Sequence, residues 1–307
     1  MPEERSKRGR RDLEDRLPLI EQAVQSLHRA KPHETVNKPA AVVRAPRDTS
    51  AGGTAAEQPA QAKPTTSRLA EIDLARLQKM GLLTPTVTRS RTMEEFRVIK
   101  RSILQNAFVP HERGKPAGNL VMVTSSRPGE GKTFTATNLA ISIASERDYT
   151  VLLIDADFTR PNVLRVLGLE ANKGLIDVLE HPSIDLSEVL IRTNIDKLTV
   201  LPAGPAHPLS TELLASQRMA AIVEEIARRY SDRIVIFDAP PILSTSEPSA
   251  LAMHVGQIIF VIEAEKTPRS VVKEALDLVN VGPKIGVVLN RCQPHYGHAQ
   301  FGSYYKR

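Results

Sequence analysis

The sequence predicts a doubly wound α/β domain, a mostly parallel sheet with helices on both faces. Three observations lead there. Short apolar, β-branched runs recur near residues 119–124, 150–155, 197–202, 233–238, 257–263 and 284–290. Helical patterns near 132–146, 210–230 and 267–280 separate several of them. The first run also enters a glycine-containing loop, Ser125-Ser-Arg-Pro-Gly-Glu-Gly-Lys-Thr133, and a helical pattern leaves it directly. The runs lack strict polar alternation, as expected of strands covered on both faces. In such sheets ligands bind beyond the carboxyl ends of the strands.

Read from the start, the chain opens with a basic stretch, Met1 to Arg11. Leu13, Leu17, Ile20, Val24 and Leu27 then recur at helical spacing, and Pro18 marks the expected helix start. Residues 1–37 are therefore expected to be an amphipathic segment that docks on another surface. Residues 38–68, poor in large apolar side chains, read as a flexible linker. Helices are expected over 69–80, with Gly81 as its C-cap, and over 92–105, with Phe96, Ile99 and Ile103 on one face. The main domain is expected over 69–291 and a mobile tail over 292–307.

Composition excludes several classes. The 307 residues are 41% hydrophobic, enough for one sizeable core, with 4% aromatics and no tryptophan. Cys292 is the only cysteine, so no intrachain disulfide or cysteine-rich metal site is possible, which fits a reducing cytoplasm. No apolar run approaches the ~20 residues needed to span a bilayer, and no signal peptide is read. The net charge of +6 is either a solvated basic face or an attraction to an anionic surface through Arg5, Lys7, Arg8, Arg10 and Arg11.

The loop is a phosphate-binding pattern, G-x-x-x-x-G-K-[ST], except that Ser126 replaces the first glycine. Backbone N–H groups at the helix start attract phosphate oxygens. Lys132 is the candidate for the β- and γ-phosphates, and Thr133 for Mg²⁺. Arg127, Gly129, Glu130, Gly131, Lys132, Thr133 and Phe134 are the candidate nucleotide contacts of this segment. Asp155 and Asp157 end the second apolar run, and Asp238 ends the fourth. A carboxylate at the end of a buried strand needs a cation or a donor. Arg160 is either a phosphate ligand or a surface charge.

Together these motifs resemble the bacterial tyrosine kinases of capsule and exopolysaccharide synthesis, from about residue 92 to the C-terminus. Pro128 to Thr133 matches that family's phosphate loop, Asp155 and Asp157 its Asp-x-Asp motif, and Asp238 its Walker B aspartate. Glu94, Arg97 and Lys100 fill the spacing of its ring-assembly helix, with Lys for the last Arg and Arg101 following. Ser210 to Met219 is also similar to a family segment. Ile20-Glu-Gln-Ala23 echoes the stand-alone kinases of exosortase-type systems.

The resemblance implies an ATP- and Mg²⁺-dependent autokinase with Lys132, Asp155, Asp157 and Asp238 as catalytic residues. Thr133 would hold the metal, with Asp157 or Asp238 acting directly or through water. Asp155 would orient or deprotonate the acceptor, and Asn290 would lie near adenine. Tyr296, Tyr304 and Tyr305, in a tail with no acid after Asp277, would be the acceptors, each tail entering a neighbour's site. The implied partners are a ring of identical subunits and a membrane-embedded protein that sets polysaccharide chain length. The implied location is the cytoplasm, peripheral to the inner membrane, with no nucleic-acid partner. The alternative is a partitioning or septum-type ATPase used as a dimerisation switch, which expects lysine where Arg127 stands.

Overall fold

The computed structural model describes residues 68–86, 90–109, 116–229, 232–279 and 282–293. The expected segment 1–37, the linker up to residue 67 and the tail tyrosines Tyr296, Tyr304 and Tyr305 lie outside the described residues.

In chain order the elements are β1 (Arg68–Ala70), α1 (Leu74–Lys79), α2 (Arg91–Ala107), β2 (Leu120–Ser125), α3 (Lys132–Ala144), β3 (Thr150–Asp155), α4 (Val163–Leu167), α5 (Leu175–Glu180) and α6 (Leu186–Val189). They continue as β4 (Ile191–Thr193), β5 (Leu198–Leu201), α7 (Ser210–Leu214), α8 (Gln217–Arg229), β6 (Arg233–Asp238), α9 (Glu247–Ala252), β7 (Gln257–Glu263), α10 (Arg269–Asp277) and β8 (Lys284–Asn290). They build one sheet in the order β1-β4-β5-β3-β6-β2-β7-β8. Every pairing is parallel except β4 with β5.

Successive side chains of a strand face opposite sides of a sheet, and here both sides are buried. Leu120, Met122, Leu152, Ile154, Val235 and Phe237 pack under α5, α8 and α9. Val121, Val123, Val151, Leu153, Ile234 and Ile236 pack under α1, α2, α3 and α4. This explains the unbroken apolar runs. It also puts the ends of β2, β3 and β6 side by side at one edge of the layer.

Three expected elements differ. The helix expected over 69–80 is strand β1 followed by α1, because the Asp73 carboxylate accepts the Arg76 N–H and caps a later start. The helix expected over 210–230 is two helices, since Ser216 Oγ accepts the Met219 N–H at 3.2 Å and begins α8 afresh. The linker expected through residue 68 yields Arg68 to β1.

In α2 the expected assembly residues separate. Arg97 and Glu94 are bonded to each other on the outer surface. Lys100 is buried, its Nζ donating to the Ser142 carbonyl at 3.0 Å and pairing with Glu146 at 2.6 Å. Its charge closes the C-terminal end of α3 and is not presented outward with the other two.

Candidate functional site

β2 runs into the loop and α3 leaves it. Gly129 and Gly131 have φ of +87° and +101°, the left-handed region that glycine adopts without strain. Gly131 precedes α3 without any side-chain cap, so the first-turn N–H groups stay available to an anion. A Cβ on Gly131 would also lie 2.0 Å from Asn290 Nδ2.

That approach is part of a brace. Asn290 Nδ2 donates to the Glu130 carbonyl at 2.8 Å, and Asn290 Oδ1 accepts the Arg291 N–H at 2.9 Å. The buried Glu130 carboxylate accepts the Arg127 N–H at 2.7 Å and the Thr267 hydroxyl. The side chains of Glu130 and Asn290, both expected near the nucleotide, are engaged with protein groups. Their side chains are spent on shaping the loop, and a carboxylate turned toward phosphate would repel it. The Arg127 side chain is exposed and does not line the cleft beside the loop.

The carboxylates converge as expected of one site. Asp155 and Asp238 are register partners at the ends of β3 and β6. Thr133 Oγ1 donates to Asp238 Oδ2 at 2.6 Å, while Asp238 Oδ1 is buried with no hydrogen-bond partner among the described residues. Burial, and then the Asp155 charge beside it, pushes the Asp238 carboxyl up to about 8. Lys132 Nζ lies 3.9 Å from Asp157 Oδ2. Asp157 is raised by burial, and its bond to the Arg160 N–H and the Lys132 charge oppose that.

Asp155 departs from its expected role. Its Oδ2 accepts the Asn162 and Val163 N–H groups, both at 2.9 Å, and Oδ1 faces the Asp157 N–H at 3.3 Å. It is fully buried and anchors the turn into α4. Burial raises it to about 6 against those bonds. Asp157 lines the cleft and Asp155 does not.

The cleft has a volume of about 660 Å³ and is lined by Gly129, Gly131, Lys132, Thr133, Phe134, Asp157, Arg160 and Pro240, among others. Several like charges around one lysine call for a further cation. An orphaned carboxylate oxygen beside a hydroxyl is a hard oxygen donor set, which suits Mg²⁺. Among the described residues no group of three His, Cys, Asp or Glu could hold a metal alone. A Mg²⁺ ion completes its shell with phosphate oxygens and water, so a pair of protein oxygens is sufficient.

Sequence reasoning missed Thr267 and Thr124. The Thr124 hydroxyl donates to the Pro240 carbonyl at 2.7 Å and ties the turn after Asp238 to β2. Thr267 reaches Glu130 across 137 residues of chain, and no local pattern signals such a bond.

A phosphate loop opening a helix, with carboxylates at the adjoining strand ends, defines a nucleotide-binding P-loop α/β protein. Residues 118–280 match the AAA domain family. The chain is 33% identical over 233 residues to tyrosine-protein kinase YwqD of Bacillus subtilis, covering 75% of this chain and 93% of that protein. It is 31% identical over 193 residues to tyrosine-protein kinase CpsD of Streptococcus agalactiae, covering 61% and 82%. The crystal structure of the chimerical protein CapA2B2 superposes with a TM-score of 0.60 at 27% identity, covering 74% of this chain and 95% of that one. The chain belongs to the bacterial tyrosine-protein kinase family, within the AAA domain family.

Proposed function

We propose that the chain is an ATP-dependent autokinase that phosphorylates Tyr296, Tyr304 and Tyr305 of a neighbouring copy. The observation that carries this reading is the meeting of Lys132, Thr133 and Asp157 in one cleft beside a free helix N-terminus, with Asp238 bonded to Thr133 behind them. Loop N–H groups and Lys132 would bind the triphosphate. Thr133 and Asp238 would hold Mg²⁺, which neutralises the β- and γ-phosphate oxygens. Asp157 would orient the acceptor hydroxyl and take its proton. A free phenol loses its proton only near pH 10, so a positioned carboxylate assists the attack. Asp155 would hold the turn that carries Asp157. The rate then comes from positioning and charge neutralisation.

The resemblance to capsule and exopolysaccharide kinases supports a role in controlling polysaccharide synthesis and export. It also supports a homo-oligomer and a membrane-embedded chain-length protein as partners. No helix among the described residues is long and apolar enough to cross a membrane. Residence at the inner membrane through that partner is part of the same proposal. Each phosphate brings about −1.5 to −2 charges, which on neighbouring tails would repel and loosen a ring. The test is incubation with ATP and Mg²⁺, followed by mass spectrometry of the C-terminal peptide, with Lys132→Ala as control. Phosphotyrosine in the tail is the expected result. A tail left unmodified while ATP is hydrolysed contradicts the reading.

A further inference from the structure

The lining of the large cleft divides by chemistry. Beside the phosphate loop, Lys132 and Asp157, it holds an apolar wall of Met80, Leu82, Phe134, Pro161 and Val166. This wall is drawn from three places in the chain: the end of α1, the start of α3, and α4 with the turn before it. Two hydrogen bonds join them. The Leu83 N–H donates to Asn138 Oδ1 of α3 at 2.7 Å, and Arg76 Nη2 of α1 donates to the Arg165 carbonyl of α4 at 2.9 Å. Met80 is 46% exposed, an apolar side chain left open at the mouth of a charged cleft.

The sheet order says which end of a nucleotide this wall faces. β6, which ends at Asp238, and β3, which Asp157 follows by two residues, lie on one side of β2, and β7 and β8 lie on the other. On the kinase reading, Lys132, Thr133 and the carboxylates would hold the terminal phosphates on the β3 side. The base end then lies toward β7 and β8, where a separate hollow of about 560 Å³ is lined by Ile262, Val272 and Leu289. The apolar wall, carried by α1, α3 and α4, belongs to the terminal-phosphate side. That is the side from which an in-line acceptor approaches.

We propose that the wall formed by Met80, Leu82, Phe134 and Val166 binds the aromatic ring of the acceptor tyrosine and so selects a phenol as substrate. This rests on the kinase reading above. With the ring on the wall, the phenolic oxygen faces the γ-phosphorus. The new O–P bond forms as the bond from γ-phosphorus to the β–γ bridging oxygen breaks. ADP departs with that oxygen, and the phenolic proton passes to the Asp157 carboxylate. A serine or threonine hydroxyl reaching the same point leaves the wall uncovered and forgoes that burial.

The test uses the full chain with Tyr296, Tyr304 and Tyr305 changed to Phe as enzyme, and a synthetic peptide of residues 293–307 as acceptor. Met80→Ser, alone and with Val166→Ser, is expected to raise the peptide KM by about tenfold with kcat nearly unchanged. The KM for ATP stays within about twofold, and Met80→Leu keeps the parental peptide KM. A peptide KM unmoved by Met80→Ser overturns the proposal, as does an ATP KM that rises in step with it, which would put the base on the wall. The single variant is at a half-exposed position and keeps the test open if the double variant does not fold. If the enzyme with an intact wall transfers no phosphate to the peptide, the kinase reading fails and this proposal with it. A changed peptide preference on an active enzyme concerns the wall alone.

Discussion

The hydroxyl of Thr133 donates to Asp238 Oδ2 at 2.6 Å across 105 residues of sequence, and the second oxygen of that carboxylate is buried without a hydrogen-bond partner among the described residues. The pair ties the first turn of α3 to the end of β6, beside the phosphate loop. It also leaves one buried carboxylate oxygen without a partner among the described residues, a costly arrangement that a bound cation would relieve.

The metal-free protein should lose stability as pH rises. The Asp238 carboxyl sits at about 8 against an ordinary 3.8, so between those values the folded state holds a proton that the unfolded chain releases. Stability is therefore greatest below the unfolded value and falls as pH rises toward the folded one. Asp155, raised to about 6, acts in the same direction over the lower part of that window. Asp238→Asn should flatten this dependence and stabilise the metal-free protein at pH 8 by about 1–3 kcal/mol, while abolishing transfer. Thermal melts in chelator at pH 5 and pH 8 read the difference. A melting temperature that rises with pH would contradict the assignment.

Gly131→Ala should fail on two grounds. Its φ of +101° strains an L side chain, and its Cβ would lie 2.0 Å from Asn290 Nδ2. The combined cost is about 1–3 kcal/mol with loss of nucleotide binding. Adding Asn290→Ala should recover only the contact part. Denaturant titration of the single and double variants measures the split.

Removing the brace should weaken nucleotide binding more than folding. Thr267→Val deletes the hydroxyl that holds the Glu130 carboxylate, and Glu130→Gln alters the same junction. A nucleotide dissociation constant raised about tenfold, with unfolding free energy changed by about 1 kcal/mol or less, is the expected pattern in calorimetry and denaturant melts.

The two acidic residues at the end of β3 should respond differently. Asp157→Asn should slow phosphoryl transfer by about 10²–10⁴-fold while nucleotide still binds. Asp155→Ala strands three backbone N–H groups and should cost about 2–3 kcal/mol of stability, with activity lost through the displaced turn. Equal effects of both on unfolding would contradict the separation of roles.

Much of the fold was legible because its strands are buried on both faces. β3 and β6 coincide with the expected ranges 150–155 and 233–238, since the four residues between the polar ends of each are all apolar. β4 and the short helices α4, α5, α6 and α9 were not legible, because three to six residues complete too little of a period to read. α7 and α8 merged because their apolar spacing continues across a break made by one hydroxyl of Ser216. At the site, residue type and strand end located the aspartates. They could not reveal that backbone N–H groups occupy Asp155, or that Glu130 and Asn290 turn to each other's neighbourhood. Those assignments depend on directions of side chains that meet only after the sheet closes.

The central claim is that this cleft transfers phosphate to the tail of another copy, and a mixing experiment tests it most directly. One chain carries Lys132→Ala with its tail tyrosines intact. The other keeps the loop and carries Phe at 296, 304 and 305. Neither has both a working site and acceptors. With ATP and Mg²⁺, phosphotyrosine should appear on the Lys132→Ala chain only in the mixture, read by mass spectrometry of its tail peptide. A mixture with no phosphotyrosine, while the same chain without substitutions phosphorylates its tail, would contradict transfer between copies.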